Sequence, residues 1–180
     1  LNASVARQNN FGGLWDAFAV RGFAGDENLP SGYLVNGYNN GRGFGGARDA
    51  SGIERVEVLK GPQAALYGRG EPGGVINIIT KKADFNTRGS IGVQAGSWDR
   101  QRVDGDANLA LGETAAVRLI GFFEDAGSFR GIRQQRWGLT PSVLVKLGEA
   151  TALTYELELT RADAQFDRGV VAIGGRLGVM

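Results

Sequence analysis

Period-two alternation governs what the second half of this chain can become. From Gly89 onward, apolar and polar side chains alternate in blocks, and Leu153, Tyr155, Leu157 and Leu159 against Thr154, Glu156, Glu158 and Thr160 form the clearest case. Val103, Ala107, Leu109 and Leu111 alternate with Asp104, Asp106, Asn108 and Ala110. Val117, Leu119 and Phe123 oppose Arg118 and Glu124, while Leu139, Val143, Val145 and Leu147 oppose Thr140, Ser142 and Lys146. Only an extended strand sorts such a pattern onto two faces, because a helix would scatter it around its axis. Leu111-Gly112-Glu113-Thr114 and Leu147-Gly148-Glu149-Ala150-Thr151 are tight turns, whereas the connections at residues 126–134 and beyond Arg161 are longer and rich in Gly and Arg. Alternating segments of ~10 residues, with short turns on one side and long loops on the other, describe a transmembrane β-barrel. A soluble sheet lying on a core alternates in the same way, so the pattern alone leaves both readings open.

The first part of the chain has a different grammar. Over residues 1–82, short β-prone runs (Phe18-Ala19-Val20, Tyr33-Leu34-Val35, Val56-Glu57-Val58-Leu59 and Val75-Ile76-Asn77-Ile78-Ile79) are separated by glycine-rich loops. Two stretches, near Ala47 to Glu54 and Pro62 to Tyr67, are expected to form brief helices; Pro62 suits a first helical turn. The whole chain contains 30 glycines in 180 residues, interleaved with Val, Ile, Leu and aromatics, which points to turns and strands rather than to a disordered tract.

Composition removes several function classes. Twenty basic and nineteen acidic side chains give a net charge of +1, without the basic excess that nucleic acid requires. Cysteine and histidine are both absent, which excludes Cys/His zinc sites, thiol nucleophiles and histidine-based acid–base schemes. No apolar run approaches the ~20 residues of a membrane helix, so any membrane crossing must use strands. The start of the chain lacks a signal peptide, and export would require residues not in this sequence.

The sentence Ile53-Glu54-Arg55-Val56-Glu57-Val58-Leu59-Lys60-Gly61-Pro62, continued by Ala65-Leu66-Tyr67-Gly68-Arg69-Gly70-Glu71-Pro72-Gly73-Gly74-Val75-Ile76-Asn77-Ile78-Ile79-Thr80-Lys81-Lys82, closely resembles the second half of the plug of TonB-dependent siderophore receptors. Ala19-Val20-Arg21-Gly22-Phe23 resembles that plug's earlier strand, and Asn36-Gly37 sits where the family often turns. Arg118-Leu119 and Ser128-Phe129-Arg130 resemble the family's strand and loop residues. The resemblance implies a mainly β chain. Its α/β plug, incomplete at the N-terminus, covers residues 1–82, and residues 83–180 supply the first four or five antiparallel strands of a transmembrane barrel that has 22 strands in the full family. It implies that these residues alone neither span a membrane nor transport anything, and that the TonB box lies outside this chain.

What the resemblance implies for function is uptake, not catalysis, at the outer membrane of a Gram-negative bacterium. The partners would be a ferric siderophore, TonB and outer-membrane lipid. No cofactor is implied, because iron arrives saturated by the chelator. Asp26, Glu27, Asn28, Arg42 and Phe44 fall in apical plug loops and are the ligand-side candidates; a plain solvated loop is the competing reading for each. Arg21 and Lys60 match two basic plug positions that latch onto glutamates of the barrel wall, on strands expected beyond this chain. Lys60 replaces the commoner arginine, which leaves a point charge in place of a bidentate fork. Other cargo (a cobalamin, haem or a glycan), a truncated product that transports nothing, and a soluble β binding module are the alternatives.

Two further signals carry less. Gly68-Arg69-Gly70-Glu71-Pro72-Gly73 is a literal G-x-G-x-x-G, but it precedes a strand instead of following one, and its proline argues against a phosphate cradle. Trp98, Phe129, Trp137 and Phe166 cluster near strand ends, as an interfacial girdle or as caps on a soluble core.

Overall fold

A computed structural model describes residues 5–7, 18–20, 33–39, 48–61, 73–165, 172–173 and 176–177. Short strands dominate the first part. β1 (Val5–Arg7) and β2 (Phe18–Val20) pair antiparallel. β3 (Leu34–Val35), β4 (Tyr38–Asn39), β5 (Ile53–Lys60) and β6 (Gly74–Thr80) form a second sheet in the order β4-β3-β6-β5, with β3 and β6 parallel. β6 is buried on nearly every residue, as expected of a central strand made of Val and Ile. Its Ile76 and Ile78 pack with Val20 and Tyr33 into a small core. Asn36 and Gly37 turn β3 into β4 at φ 52° and 84°, the left-handed pair that a two-residue hairpin demands.

The helix expected near residues 47–54 is a single 3-10 turn, Ala50–Gly52, and the chain is already extended at Ile53. Asp49 starts the turn, its side chain accepting the Ser51 N–H (2.9 Å), and the β-branched Ile53, Val56 and Val58 that follow favour a strand and end it. The helix expected at residues 62–67 lies outside the described residues.

Beyond a linker at residues 81–87, long strands follow one another in an antiparallel meander. These are β7 (Arg88–Gly96), β8 (Arg100–Leu111), β9 (Ala115–Ala126) and β10 (Gln134–Lys146), followed by β11 (Ala152–Glu156) and β12 (Leu159–Ala164). β11 and β12 lie end to end along β10 in one register, from Lys146↔Ala152 to Gln134↔Ala164. The break between them has a chemical cause. The carbonyl of Pro141 accepts the Leu157 N–H (3.1 Å), so the donor that Pro141 lacks would also face Leu157, and the ladder lapses there. β13 (Ala172–Ile173) and β14 (Arg176–Leu177) form a separate pair.

The wall of long strands is reversed relative to a soluble sheet. Over most of β7 to β11, odd-numbered residues face away from the first part of the chain, and they are apolar and open: Ile91 is 83% exposed, Val93 79% and Tyr155 61%, with Leu109, Leu119, Trp137 and Leu153 alongside. On β12 the odd positions Arg161 and Asp163 are charged. Even-numbered residues of β8, β9 and β10 face inward, and the buried ones are largely polar, Arg102, Asn108, Arg118, Glu124 and Ser142, with Ala116 and Ile120 among them. Every strand keeps this parity because the register partners across the wall, such as Asn108↔Arg118↔Ser142↔Glu156, are all even. A hydrophobic core would require the opposite arrangement. The alternation left open by the sequence is thereby resolved in favour of a wall with an apolar exterior.

Candidate interface between plug and wall

The buried polar face of the wall is where the first part of the chain docks. Thr80, the last residue of β6, stands at one crossing point. Its N–H donates to Asn36 Oδ1 (3.1 Å), its hydroxyl accepts from Asn36 Nδ2 (2.8 Å), and that hydroxyl donates to Glu156 Oε2 on β11 (2.8 Å). The hairpin turn of the plug sheet is thus linked through one threonine to the wall.

The linker is fastened residue by residue. Lys81 Nζ reaches Asp106 (3.1 Å), and Arg118, itself held on Asp106 by two hydrogen bonds (2.7 and 2.8 Å), donates to the Lys82 carbonyl (3.1 Å). The Ala83 N–H donates to Ser142 Oγ (2.9 Å). Asn108 accepts the Asp84 N–H (3.1 Å) and donates to the carbonyls of Asp84 (2.8 Å) and Asn86 (2.6 Å). The Lys146 ammonium sits 4.3 Å from the centre of the Phe85 ring. Arg88 forks onto Asp84 (2.5 and 2.8 Å), and its hydrogen bonds hold that carboxyl at about 2, well below its usual 3.8.

A second fastening lies upstream. Asp49 receives both Nη atoms of Arg102 (2.7 and 2.8 Å), with both side chains almost fully buried. Burial pushes the Asp49 carboxyl up, but the hydrogen bonds from Arg102 and Ser51 outweigh it, so the group sits below the ordinary aspartate range. Arg102 also reaches Asp104 (3.1 Å) and Glu124 (3.4 Å) and lies 5.0 Å over the Phe122 ring. Glu124 is further bound by Arg136 (3.0 Å) and Arg100 (3.2 Å). Phe122 in turn closes on Gly138, where an added Cβ would come within 2.4 Å of the ring. Arg48, beside Asp49, pairs with Glu158 in the gap between β11 and β12. A narrow cleft lined by Arg48, Asp49, Gly52, Ile53, Thr80, Thr140, Glu156 and Glu158 separates plug from wall here.

Of the candidate site residues singled out from sequence, Lys60 is described, and it lies away from this interface. Arg21, Asp26, Glu27, Asn28, Arg42 and Phe44 lie outside the described residues. Lys60 ends β5 opposite Gly74, exposed, at the far end of the strand from Asp49. Arg48, Asp49 and residues 80–86 were missed. The available signal was the recurrence of charge at even positions of the wall strands, but which plug residue meets which wall charge depends on tertiary pairing. Trp98 and Phe129 come together at 6.2 Å on adjacent connections and Trp137 faces outward, while Phe166 is outside the described residues. Among the described residues, no cluster of acidic side chains suited to a metal ion occurs.

Residues 2–75 match the family described as TonB-dependent Receptor Plug Domain. The metal-pseudopaline receptor CntO of Pseudomonas aeruginosa is 42% identical over 177 residues, which are 97% of this chain and 24% of that protein. The catecholate siderophore receptor Fiu of Escherichia coli K12 is 36% identical over 132 residues, 71% of this chain and 17% of the relative. The crystal structure of Fiu in its closed form superposes with a TM-score of 0.79 at 29% identity, covering 92% of this chain and 24% of that one. The pyoverdine outer membrane receptor FpvA of P. aeruginosa, at 24% identity and a TM-score of 0.77, shares the fold. The chain spans about a quarter of the length of the curated relatives with which it aligns most fully.

Proposed function

Because this chain belongs to the TonB-dependent receptor family, we propose that it supplies the plug, over residues 1–82, and the first barrel strands, over residues 83–180, of an outer-membrane receptor that takes up ferric siderophores. The observation that carries the membrane part of this reading is the inverted wall, whose apolar face is open and whose charged face is buried against the plug. The cargo reading rests on the relatives: Fiu is a catecholate siderophore receptor and CntO a metal-pseudopaline receptor. Fiu is also named a ferric-catecholate import receptor, so both relatives are named for a metal joined to a small molecule. TonB would energise passage, and Arg21 and Lys60 would add latches between plug and wall. Asp26, Glu27, Asn28, Arg42 and Phe44 would meet the ligand from the plug loops.

The name of CntO also favours a second reading, in which the chelate delivers a metal other than ferric iron. Binding of ferric and of non-ferric chelates to outer membranes that contain the complete receptor separates the two. Replacing Arg42 and Phe44 together with alanine weakens binding of the preferred chelate; unchanged affinity would remove both residues from the site.

A further inference from the structure

Among the described residues the plug meets the wall at two places. One is the continuous stretch from Thr80 to Asn86, which is tied down largely through its backbone to Ser142, Asn108 and Arg118. The other is the Arg48–Asp49 pair. Their anchors along β8 run from Arg102, for Asp49, to Asp106 and Asn108, for the linker, a spread of about 13–20 Å at ~3.3 Å per residue, while at the cleft the anchors of Thr80 and Arg48, Glu156 and Glu158, lie only two residues apart. A body fastened along one line can turn about that line, and a fastening displaced from it, as Arg102 is, restricts that freedom.

We infer that Asp49 is a positioning residue whose carboxylate fixes the direction in which the plug sheet lies against the wall, while residues 80–86 form an attachment that holds without it. The inference rests on the reading of residues 1–82 as a plug. The carboxylate is suited to the role because it is rigid on both sides. On the wall side it takes the two-pronged guanidinium of Arg102, seated on Phe122 and braced by Asp104 and Glu124. On the plug side it holds the N–H and hydroxyl of Ser51 (2.9 and 2.6 Å), and the turn it caps is tied by the Gly52 carbonyl to the Lys81 N–H (3.0 Å). Charge order makes the seating selective. Arg48 faces Glu158 and Asp49 faces Arg102, so exchanging the two would set like charges together.

The test uses the chain's lack of cysteine, which makes any introduced disulfide unambiguous. One pair, Gly52→Cys with Thr140→Cys, lines the two sides of the cleft beside Asp49; no atom lies within 4 Å of a Cβ at Gly52, so its bond closes only when the cleft narrows onto a fully seated plug. The other, Ala83→Cys with Ser142→Cys, reports on the linker attachment. Both are read as disulfide yield in outer membranes containing the whole receptor. Asp49→Ala lowers the first yield at least about tenfold, as expected for losing a hydrogen bond to a charged group while Arg102 keeps Asp104 and Glu124, and leaves the second unchanged; Asp49→Glu recovers the first. An unchanged first yield in Asp49→Ala, a parallel loss of both yields, or no Gly52–Thr140 disulfide in the otherwise unaltered receptor would each overturn the inference. No chelate enters this assay, so failure to bind a ferric siderophore would overturn the functional reading alone.

Discussion

Asn108 illustrates what single residues do in this interface. It is completely buried on a strand, a poor place for an amide unless every polar atom is matched. Here the amide oxygen takes one backbone N–H and the amide nitrogen serves two carbonyls of the linker. Asn108→Leu preserves the bulk but strands those three backbone groups, so the protein should lose about 2–3 kcal/mol of stability; thermal unfolding in detergent measures it, and a loss within error would mean the linker finds other partners. Asp84, next in this network, makes a pH prediction with a definite sign. Its folded-state pKa of about 2 lies below the ordinary 3.8 because Arg88 hydrogen-bonds the ionised form. A depressed carboxyl stabilises the fold fully above its unfolded pKa and ceases to do so as pH falls through the folded value. The stability difference between the parent protein and Asp84→Asn should therefore be constant above about pH 4, and close between there and pH 2. A difference that persisted at pH 2 would assign the effect to hydrogen bonding rather than to charge.

At the scale of strands, the decisive quantity is which face of the alternation is buried, and this was the part least legible in the sequence. Leu153, Tyr155, Leu157 and Leu159 announced a strand, and the tight turns at 112–114 and 147–151 appear where glycine marked them. Which side met the core could not be read locally, because burial is set by the segment packed against the wall. The same limit hid Asp49: a lone acid after a glycine-rich run looks solvated until Arg102 is placed over it. The brief helix expected near residues 47–54 is present as one 3-10 turn, Ala50–Gly52, and it goes no further because Ile53 and the β-branched Val56 and Val58 favour a strand. The outward face yields a prediction that separates membrane wall from soluble sheet. Leu119 is half exposed and sits in the middle of the apolar rows, between Ala107 and Pro141. On a soluble sheet, Leu119→Arg would change stability by no more than about 0.5 kcal/mol. In a bilayer midplane it costs roughly 2–4 kcal/mol, so the variant should assemble poorly in the outer membrane. Assembly at the parent level would contradict the placement of this face in lipid.

For the molecule as a whole, the apolar rows set a scale. On β8 to β11, outward positions run from the register row of Val103, Phe123 and Trp137 to that of Leu111, Ala115, Val145 and Leu153, beyond which Gln101, Asp125 and Gln135 are polar; on β12 the first of these rows ends in Arg161. Five rows span about 26 Å along the strands and roughly 20 Å at a tilt near 40°, close to the ~25 Å apolar band of outer-membrane barrels. Under the proposed placement in the outer membrane, the rim with the longer connection, residues 127–133, would face outside, and the turns at 112–114 and 147–151 the periplasm. Inside this belt, among the described residues, ion pairs and hydrogen bonds join the first part of the chain to the wall, and a polar contact can be exchanged for water more readily than a packed one. If uptake turns the plug about its linker, the two fastenings should differ in their effect on transport. A closed Ala83–Ser142 disulfide constrains only the attachment that stays in place, so chelate uptake should continue at the parent rate. A closed Gly52–Thr140 disulfide holds the plug in its resting direction, so uptake should stop and return when a reductant reopens the bond. Equal arrest by both disulfides would mean that the linker itself must leave the wall, and arrest by neither would mean that ligand passes without the plug turning at all.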